Sequence, residues 1–341
     1  MRADWYRSLF AIDSGKISTL LFARVGVAVA LPLFGFGLAG HPGAAMAGAG
    51  TALFVAMSDI GSRRTDRVAI MMAATLFILL GGFIGHRYGV GAGGAVPFIL
   101  AATLLAGWVS NSQPAISSVA RFGALATATG AGTQNHDPLA AIAVFAGGAC
   151  AILSAVAIWL TEAIPPHADP IDWRAGVRRA FAGADTGWWF ALCYASGCAL
   201  ALLAAEQLHV SSPVWATFTV IMVTRREGML SLGLVIHYMA GTLLGIPVAA
   251  LLAHLSTDPV MLMTFATLAA ASTRLGFALN PALGYVAFTV FLIMVVELER
   301  NGGAPALPLV LTRLYDVGVG CVIALGATLL ATLGHRSPKS A

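Results

Sequence analysis

Long apolar runs separated by short polar segments fill almost the whole chain. A membrane-spanning helix needs about 17 to 25 predominantly apolar residues, and on this basis the pattern divides into twelve segments. Segments 211–224 and 258–272 are short enough to be half-spans, so ten crossings are also compatible with the pattern. The sequence predicts an all-α polytopic membrane protein with about twelve transmembrane helices, at 20–39, 43–60, 67–86, 93–110, 114–131, 138–160, 187–207, 211–224, 230–254, 258–272, 280–298 and 307–333.

The distribution of Lys and Arg predicts the orientation of these helices, because short cytoplasmic loops carry an excess of positive residues. With the N-terminus in the cytoplasm, only Arg87, Arg300 and Arg313 fall in segments on the far side. Arg24 and Arg121 lie within helices, and the other positive residues, Arg274 among them, fall in cytoplasmic segments. The first apolar run lacks a small-residue cleavage site and is expected to be a retained span. We therefore predict that both termini are cytoplasmic.

Two stretches of the chain resemble each other. A short segment that begins with an Asp-Trp pair occurs at 4–15 and again at 172–187. Three further positions each recur in the second half at one constant separation in residue number. An even number of helices in each half predicts two parallel six-helix repeats with the substrate path between them. The predicted organisation is an N-terminal interfacial helix (1–19), a first repeat (20–160), a cytoplasmic linker with an interfacial helix (161–186), a second repeat (187–333) and a cytoplasmic tail (334–341). The recurring positions are Gly61, Thr75 and Pro114 with Gly228, Thr242 and Pro281.

The Asp-Trp segment in the linker has the pattern of an amphipathic helix on the cytoplasmic membrane surface. Trp173, Val177 and Phe181 recur every fourth residue, with Arg174 and Arg178 beside them to face lipid head groups. A simple polar linker is the alternative interpretation.

Composition narrows the function classes. Hydrophobic residues make up 58% of the chain and charged residues 10%, against roughly 25% charged in soluble domains, which excludes an ordinary cytosolic enzyme. The net charge of +4 does not indicate a nucleic-acid partner, because the cations lie in loops. The four cysteines lie in apolar runs and predict neither disulfides nor a metal site. No nucleotide-binding or hydrolase motif is present, so we predict no cofactor and no enzymatic activity.

Ionisable residues inside apolar segments are the candidates for function, since each is costly in the bilayer unless paired or hydrated. Arg313 and Asp316 lie three residues apart on the last helix, and Glu297 ends the preceding one at similar depth. An arginine beside carboxylates that protonate suits a proton-coupled anion carrier. A structural salt bridge between the two helices is an equally weighted alternative.

Two helix breaks form a second group of candidates. Asn280-Pro281 and the segment 111–114 each open a helix, and free N–H groups at a helix start attract anions. His237 is a candidate for proton transfer, and a histidine that is only hydrogen-bonded is the alternative. Arg225 and Arg226 are placed to collect anions from the cytoplasm or to anchor the topology.

Several segments are similar to short members of the fusaric acid resistance family, also described as aromatic acid exporters. They are Ala23 to Pro32, Gly50 to Ala56, Asp59-Ile60-Gly61, Gly241-Thr242-x-x-Gly245, the Asn280 segment and Arg313-x-x-Asp316-x-x-x-Gly320.

The resemblance implies export of small aromatic or amphipathic organic anions across the inner membrane, driven by protons. A gated passive anion channel is the alternative, because plant malate channels are distant relatives. The expected partners are an organic anion, protons and membrane lipid, and a second copy of the chain is a further candidate. The family often has arginine just before the Gly-Thr pair, where this chain has Tyr238, and the long soluble segment of larger members is missing.

Overall fold

The computed structural model describes most of the chain as helices joined by short connections. The ranges described are 11, 19–60, 63–89, 91–110, 114–132, 137–160, 171–182, 187–209, 213–225, 228–299 and 306–334. The predicted N-terminal interfacial helix and the segment 111–113 lie outside these ranges.

The described residues form helices α1 to α13. Four of them, α2, α5, α11 and α12, begin at proline, which is favoured in the first helical turn because its missing N–H would have no partner there. Their bounds are α1 Thr19–Leu38, α2 Pro42–Met57, α3 Arg64–Tyr88, α4 Gly91–Val109, α5 Pro114–Gly132, α6 Ala140–Trp159, α7 Trp173–Ala182, α8 Gly187–Gln207, α9 Val214–Val223, α10 Gly228–Leu255, α11 Pro259–Leu279, α12 Pro281–Glu299 and α13 Ala306–Gly334.

Length and composition identify eight of these helices as able to cross a membrane: α1, α3, α6, α8, α10, α11, α12 and α13. The shorter apolar helices are α2, the Gly94–Val109 part of α4, and α9. The protein is therefore an all-helical, multi-pass membrane protein. Each of the twelve predicted segments contains a helix, and whether all twelve cross the bilayer stays a prediction.

The predicted end of the tenth segment at 272 is wrong. Helix α11 continues to Leu279 and is 21 residues long, which is enough to span about 30 Å. Asn280 and Pro281 end the helix, because the residue before proline is disfavoured in α conformation. Arg274, assigned from the sequence to a loop, consequently lies inside α11 and donates a hydrogen bond to the carbonyl of Ala56.

The second interfacial segment forms helix α7. The backbone N–H of Ile171, just before it, donates to Asp66 Oδ2 at 2.8 Å, and the Phe181 ring contacts Trp108 edge-on with centroids 4.7 Å apart. Arg174 and Arg178 are exposed. The helix is present as predicted, and its position on a membrane surface stays a prediction.

The chain divides into two compact units, each built from both halves of the sequence. Unit 1 comprises Met1–Met57, Asn135–Ile164 and Ile236–Leu314. Within it, α1 packs against α2, α6 and α11, α2 packs against α6 and α12, and α11 packs against α12. The greater part of α10 also belongs to unit 1, where Gly241 and Gly245 bring it against α12.

Unit 2 comprises Ser58–Gln134, Pro165–Val235 and Tyr315–Ala341. Within it, α4 packs against α3, α5, α7 and α8, and α5 packs against α3 and α9. Helices α8 and α9 are also in contact. A side chain at Gly81 of α3 would come within 2.9 Å of Thr127 Oγ1 on α5, so this glycine allows the two backbones to approach closely.

Candidate functional site

An arginine and a tyrosine meet inside unit 1. Arg313 on α13 donates from Nη2 to the hydroxyl oxygen of Tyr238 on α10 at 3.3 Å. Arg313 is 5% exposed and Tyr238 is 1% exposed. A guanidinium carries five N–H donors and stays charged in proteins, so this position combines a buried cation with a phenol.

Aromatic rings continue from Tyr238 along α12 and α11. The Tyr238 and Tyr285 rings have centroids 4.7 Å apart in an edge-to-face arrangement, and Phe277 packs edge-on against Tyr285 at 4.8 Å. Edge-to-face packing is a favourable aromatic geometry. We call Arg313, Tyr238, Tyr285 and Phe277 the Arg–Tyr cluster.

Two glycines of α10 allow this arrangement. A Cβ atom at Gly241 would lie 2.8 Å from the carbonyl oxygen of Ala282, and one at Gly245 would lie 2.8 Å from Thr289 Cβ. Both distances are far below van der Waals contact. The Gly-Thr-x-x-Gly segment therefore brings α10 against α12, one helical turn from Tyr238.

The two predicted carboxylates of the coupling cluster are buried but belong to different units. Glu297 on α12 is 4% exposed and lies in unit 1. Asp316 on α13 is fully buried and lies in unit 2, because the division falls between residues 314 and 315 of that helix. Their joint role with Arg313 stays a prediction.

Asn280 has a capping role in the structure. Its side-chain Oδ1 accepts from the backbone N–H of Ala282 at 2.8 Å, and its Nδ2 donates to the carbonyl of Ala11 at 3.1 Å. One of the free N–H groups at the start of α12 is thus satisfied by the preceding side chain. An anion at this helix start would use the remaining N–H groups, and this stays a prediction.

The remaining predicted residues are placed as follows. His237 is 9% exposed on α10, in unit 1. Arg225 follows α9 in unit 2, where its backbone N–H donates to Ser231 Oγ at 2.7 Å and its Nη1 donates to the carbonyl of Thr224 at 3.0 Å. Arg226 lies outside the described residues.

Residues 197–327 match the model of a family described as fusaric acid resistance protein-like. This stretch is therefore similar to that family. It contains most of α8, all of α9 to α12 and the larger part of α13, and therefore all four members of the Arg–Tyr cluster. No curated protein and no solved structure matches the chain significantly.

The match confirms the resemblance read from the sequence and indicates a membrane transporter. Fusaric acid resistance protein-like sequences were expected to carry arginine near the position of Tyr238. In this chain the Tyr238 hydroxyl accepts a hydrogen bond from Arg313, 75 residues further along the chain. Tyr285 and Phe277 were not identified from the sequence. Tyr238 was the one signal for this region in the sequence, because a tyrosine stands where the resemblance implies an arginine.

Proposed function

We propose that the protein exports small aromatic or amphipathic organic anions, and that the Arg–Tyr cluster binds them. The observation that carries this proposal is the buried hydrogen bond between Arg313 and Tyr238, 3.3 Å long, next to the Tyr285 and Phe277 rings. A cation and aromatic rings in one place match a ligand that has a carboxylate on an apolar ring.

The electrostatic part of the argument concerns Arg313. A buried charge within a membrane protein is costly and is characteristic of substrate and ion pathways. Guanidinium binds carboxylate with two parallel hydrogen bonds, which makes arginine suited to recognising this group. The Tyr238 hydroxyl orients the guanidinium and is itself a further donor for the ligand.

The apolar part of the argument concerns the rings. Binding sites for small molecules combine hydrophobic and aromatic walls with a few placed polar groups. Tyr285 is 2% exposed, and its ring contacts both Tyr238 and Phe277, so this aromatic cluster favours an aromatic ligand over an extended aliphatic one.

Proton coupling is proposed for Asp316 and Glu297. Both carboxyl groups are buried, and acidic residues within membrane segments are characteristic of proton relays. Protonation on the outer side would compensate the charge changes that accompany release of the anion. His237, Asn280, Arg225 and Arg226 are proposed to contribute to binding of the anion, without an assigned place along its route.

The architecture proposed for this function is twelve membrane helices in two parallel repeats, in the inner membrane, with both termini in the cytoplasm. The packing of equivalent helices supports the repeat: α1 on α2 corresponds to α8 on α9, α4 on α5 to α11 on α12, and α4 on α8 to α11 on α1. In each correspondence, both helices are exchanged for the helices seven places away in the other half of the chain.

The function is tested with purified protein in liposomes, by following uptake of aromatic and aliphatic carboxylates with and without a pH gradient. We expect accumulation of aromatic carboxylates that depends on the gradient. Downhill flux that is gated by voltage and indifferent to pH would contradict the coupling and favour the passive anion channel. No flux of any carboxylate would contradict the substrate class.

Two variants test the residues. Arg313→Lys keeps the charge but loses the planar donor pair, and we expect the apparent affinity for carboxylate to fall about ten-fold or more. Arg87→Lys is the matched control, because Arg87 also lies near a tyrosine ring, 5.6 Å from the Tyr88 centroid, but is exposed.

Asp316→Asn should abolish uptake driven by pH while the protein stays folded. Full coupling in Asp316→Asn would remove this residue from the mechanism.

A further inference from the structure

Thr242 carries a buried hydroxyl that is unused by the helix to which it belongs. The residue is 1% exposed, and its Oγ1 atom forms no hydrogen bond with any residue that the structure describes. A buried hydroxyl without a partner costs about 1–3 kcal/mol. A ligand that supplies the missing partner would recover this cost.

Buried threonines elsewhere in the chain show the usual arrangement. Thr75 donates to the carbonyl of Met71 at 2.9 Å and Thr273 donates to that of Ala269 at 2.9 Å, so each bonds to its own helix four residues back. For Thr242 the corresponding acceptor is the carbonyl of Tyr238, and the hydroxyl does not use it. The comparison with Thr75 is the closest available, because the two residues occupy equivalent positions in the two halves of the sequence.

The position of Thr242 connects it with the Arg–Tyr cluster. Residues four apart on a helix lie on the same face, one above the other, so Thr242 is the neighbour of Tyr238 along α10. Thr224, Thr267 and Thr328 also have a buried hydroxyl without a hydrogen bond to a described residue. Only Thr242 of these four lies one turn from Tyr238 on that helix.

We propose that the Thr242 hydroxyl donates a hydrogen bond to the carboxylate that Arg313 and Tyr238 bind. The site then has three kinds of donor: a guanidinium, a phenol and an aliphatic hydroxyl. This inference rests on the proposed function and adds a residue that sets affinity at the same site.

The test measures binding of radiolabelled benzoate to the purified full-length protein, together with thermal unfolding of each variant without ligand. A hydrogen bond to a charged group contributes about 1.5–3 kcal/mol, so Thr242→Val is expected to weaken benzoate binding by about ten-fold or more. Thr242→Ser keeps the hydroxyl and should bind within about two-fold of the wild type. Thr75→Val removes the equivalent hydroxyl of the first half and should leave binding unchanged.

Each outcome has one meaning. Loss of binding in Thr242→Val, with an unfolding temperature at or above that of the wild type and rescue in Thr242→Ser, supports the inference. Normal benzoate binding in Thr242→Val contradicts the inference and leaves the proposed function intact. Equal weakening in Thr75→Val also contradicts it, since the effect would then be a general one. Absence of benzoate binding in the wild type would contradict both the inference and the proposed function.

Discussion

Two glycines on α13 lie only two residues apart, and we predict opposite effects on stability when each is replaced by alanine. A Cβ atom added at Gly320 would lie 2.6 Å from the carbonyl oxygen of Ala216 and 2.6 Å from Thr219 Cβ, both on α9. A Cβ atom added at Gly318 would find no atom within 4 Å. Comparing the two variants therefore separates the effect on helix packing in unit 2 from the other effects of replacing glycine by alanine.

The magnitude follows from these distances. Non-bonded carbon atoms prefer separations of about 3.5–4.0 Å, so Gly320→Ala requires α9 and α13 to move apart by about 1 Å. A backbone carbonyl cannot rotate away as a side chain can, and overpacking of this kind costs about 1–3 kcal/mol. Gly318→Ala meets no obstacle and gains about 0.5–1 kcal/mol from the helix preference of alanine. We expect the two variants to differ by about 1.5–4 kcal/mol in the free energy of unfolding.

The assay is unfolding of both variants, purified in the same detergent, under one set of conditions. Gly320→Ala should unfold at a lower temperature than the wild type, and Gly318→Ala should unfold at the same or a higher temperature. Equal unfolding temperatures for the two variants would refute the close approach of α9 and α13. A lower temperature for Gly318→Ala alone would refute the assignment of which face of α13 packs against α9.

Two further predictions concern connections outside the apolar segments. Asp59, whose side chain is fully buried, accepts from Arg67 Nε at 2.6 Å and from Nη2 at 2.7 Å. Asp59→Asn should therefore destabilise the protein by about 1–3 kcal/mol, because it leaves the guanidinium without its paired charge; an unchanged unfolding temperature would contradict this. Asp137 accepts from the backbone N–H groups of Leu139 at 3.0 Å and Ala44 at 3.1 Å. Asp137→Ala should cost about 1 kcal/mol, measured by the same unfolding assay, whereas Asp137→Asn, which keeps an acceptor, should cost less, and equal losses in the two variants would count against the capping role.

The sequence by itself was sufficient for the local structure. Apolar runs predicted a helix in each of the twelve segments. In lipid the backbone N–H and C=O groups must bond within their own segment, so a run of consecutive apolar residues favours a helix. Pro281 and Asn280 predicted a helix boundary that the structure has in the same place. The amphipathic pattern at Trp173 predicted a helix, which is α7. The end of α11 was missed because Ser272, Thr273 and Arg274 interrupt the apolar run, although their polar groups are satisfied within unit 1.

The candidate site was only partly predictable. Arg313 was identified because a charged residue in an apolar segment is costly, and that cost can be read from the sequence. Tyr285 and Phe277 are ordinary aromatic residues in apolar runs, and nothing in their local pattern separates them from lipid-facing or core residues. Thr242 was noted only as a recurring position and as part of the Gly-Thr-x-x-Gly segment.

Tertiary structure decided which of these residues meet. Tyr238 and Arg313 are 75 residues apart in the chain, and each unit combines helices from both halves of the sequence. Hydropathy fixes where a helix lies but carries no information on which helix faces which, since lipid tails are as apolar as leucine. That choice depends on the close packing of small residues such as Gly241 against Ala282 and Tyr285, and it exists only once the helices have been brought together.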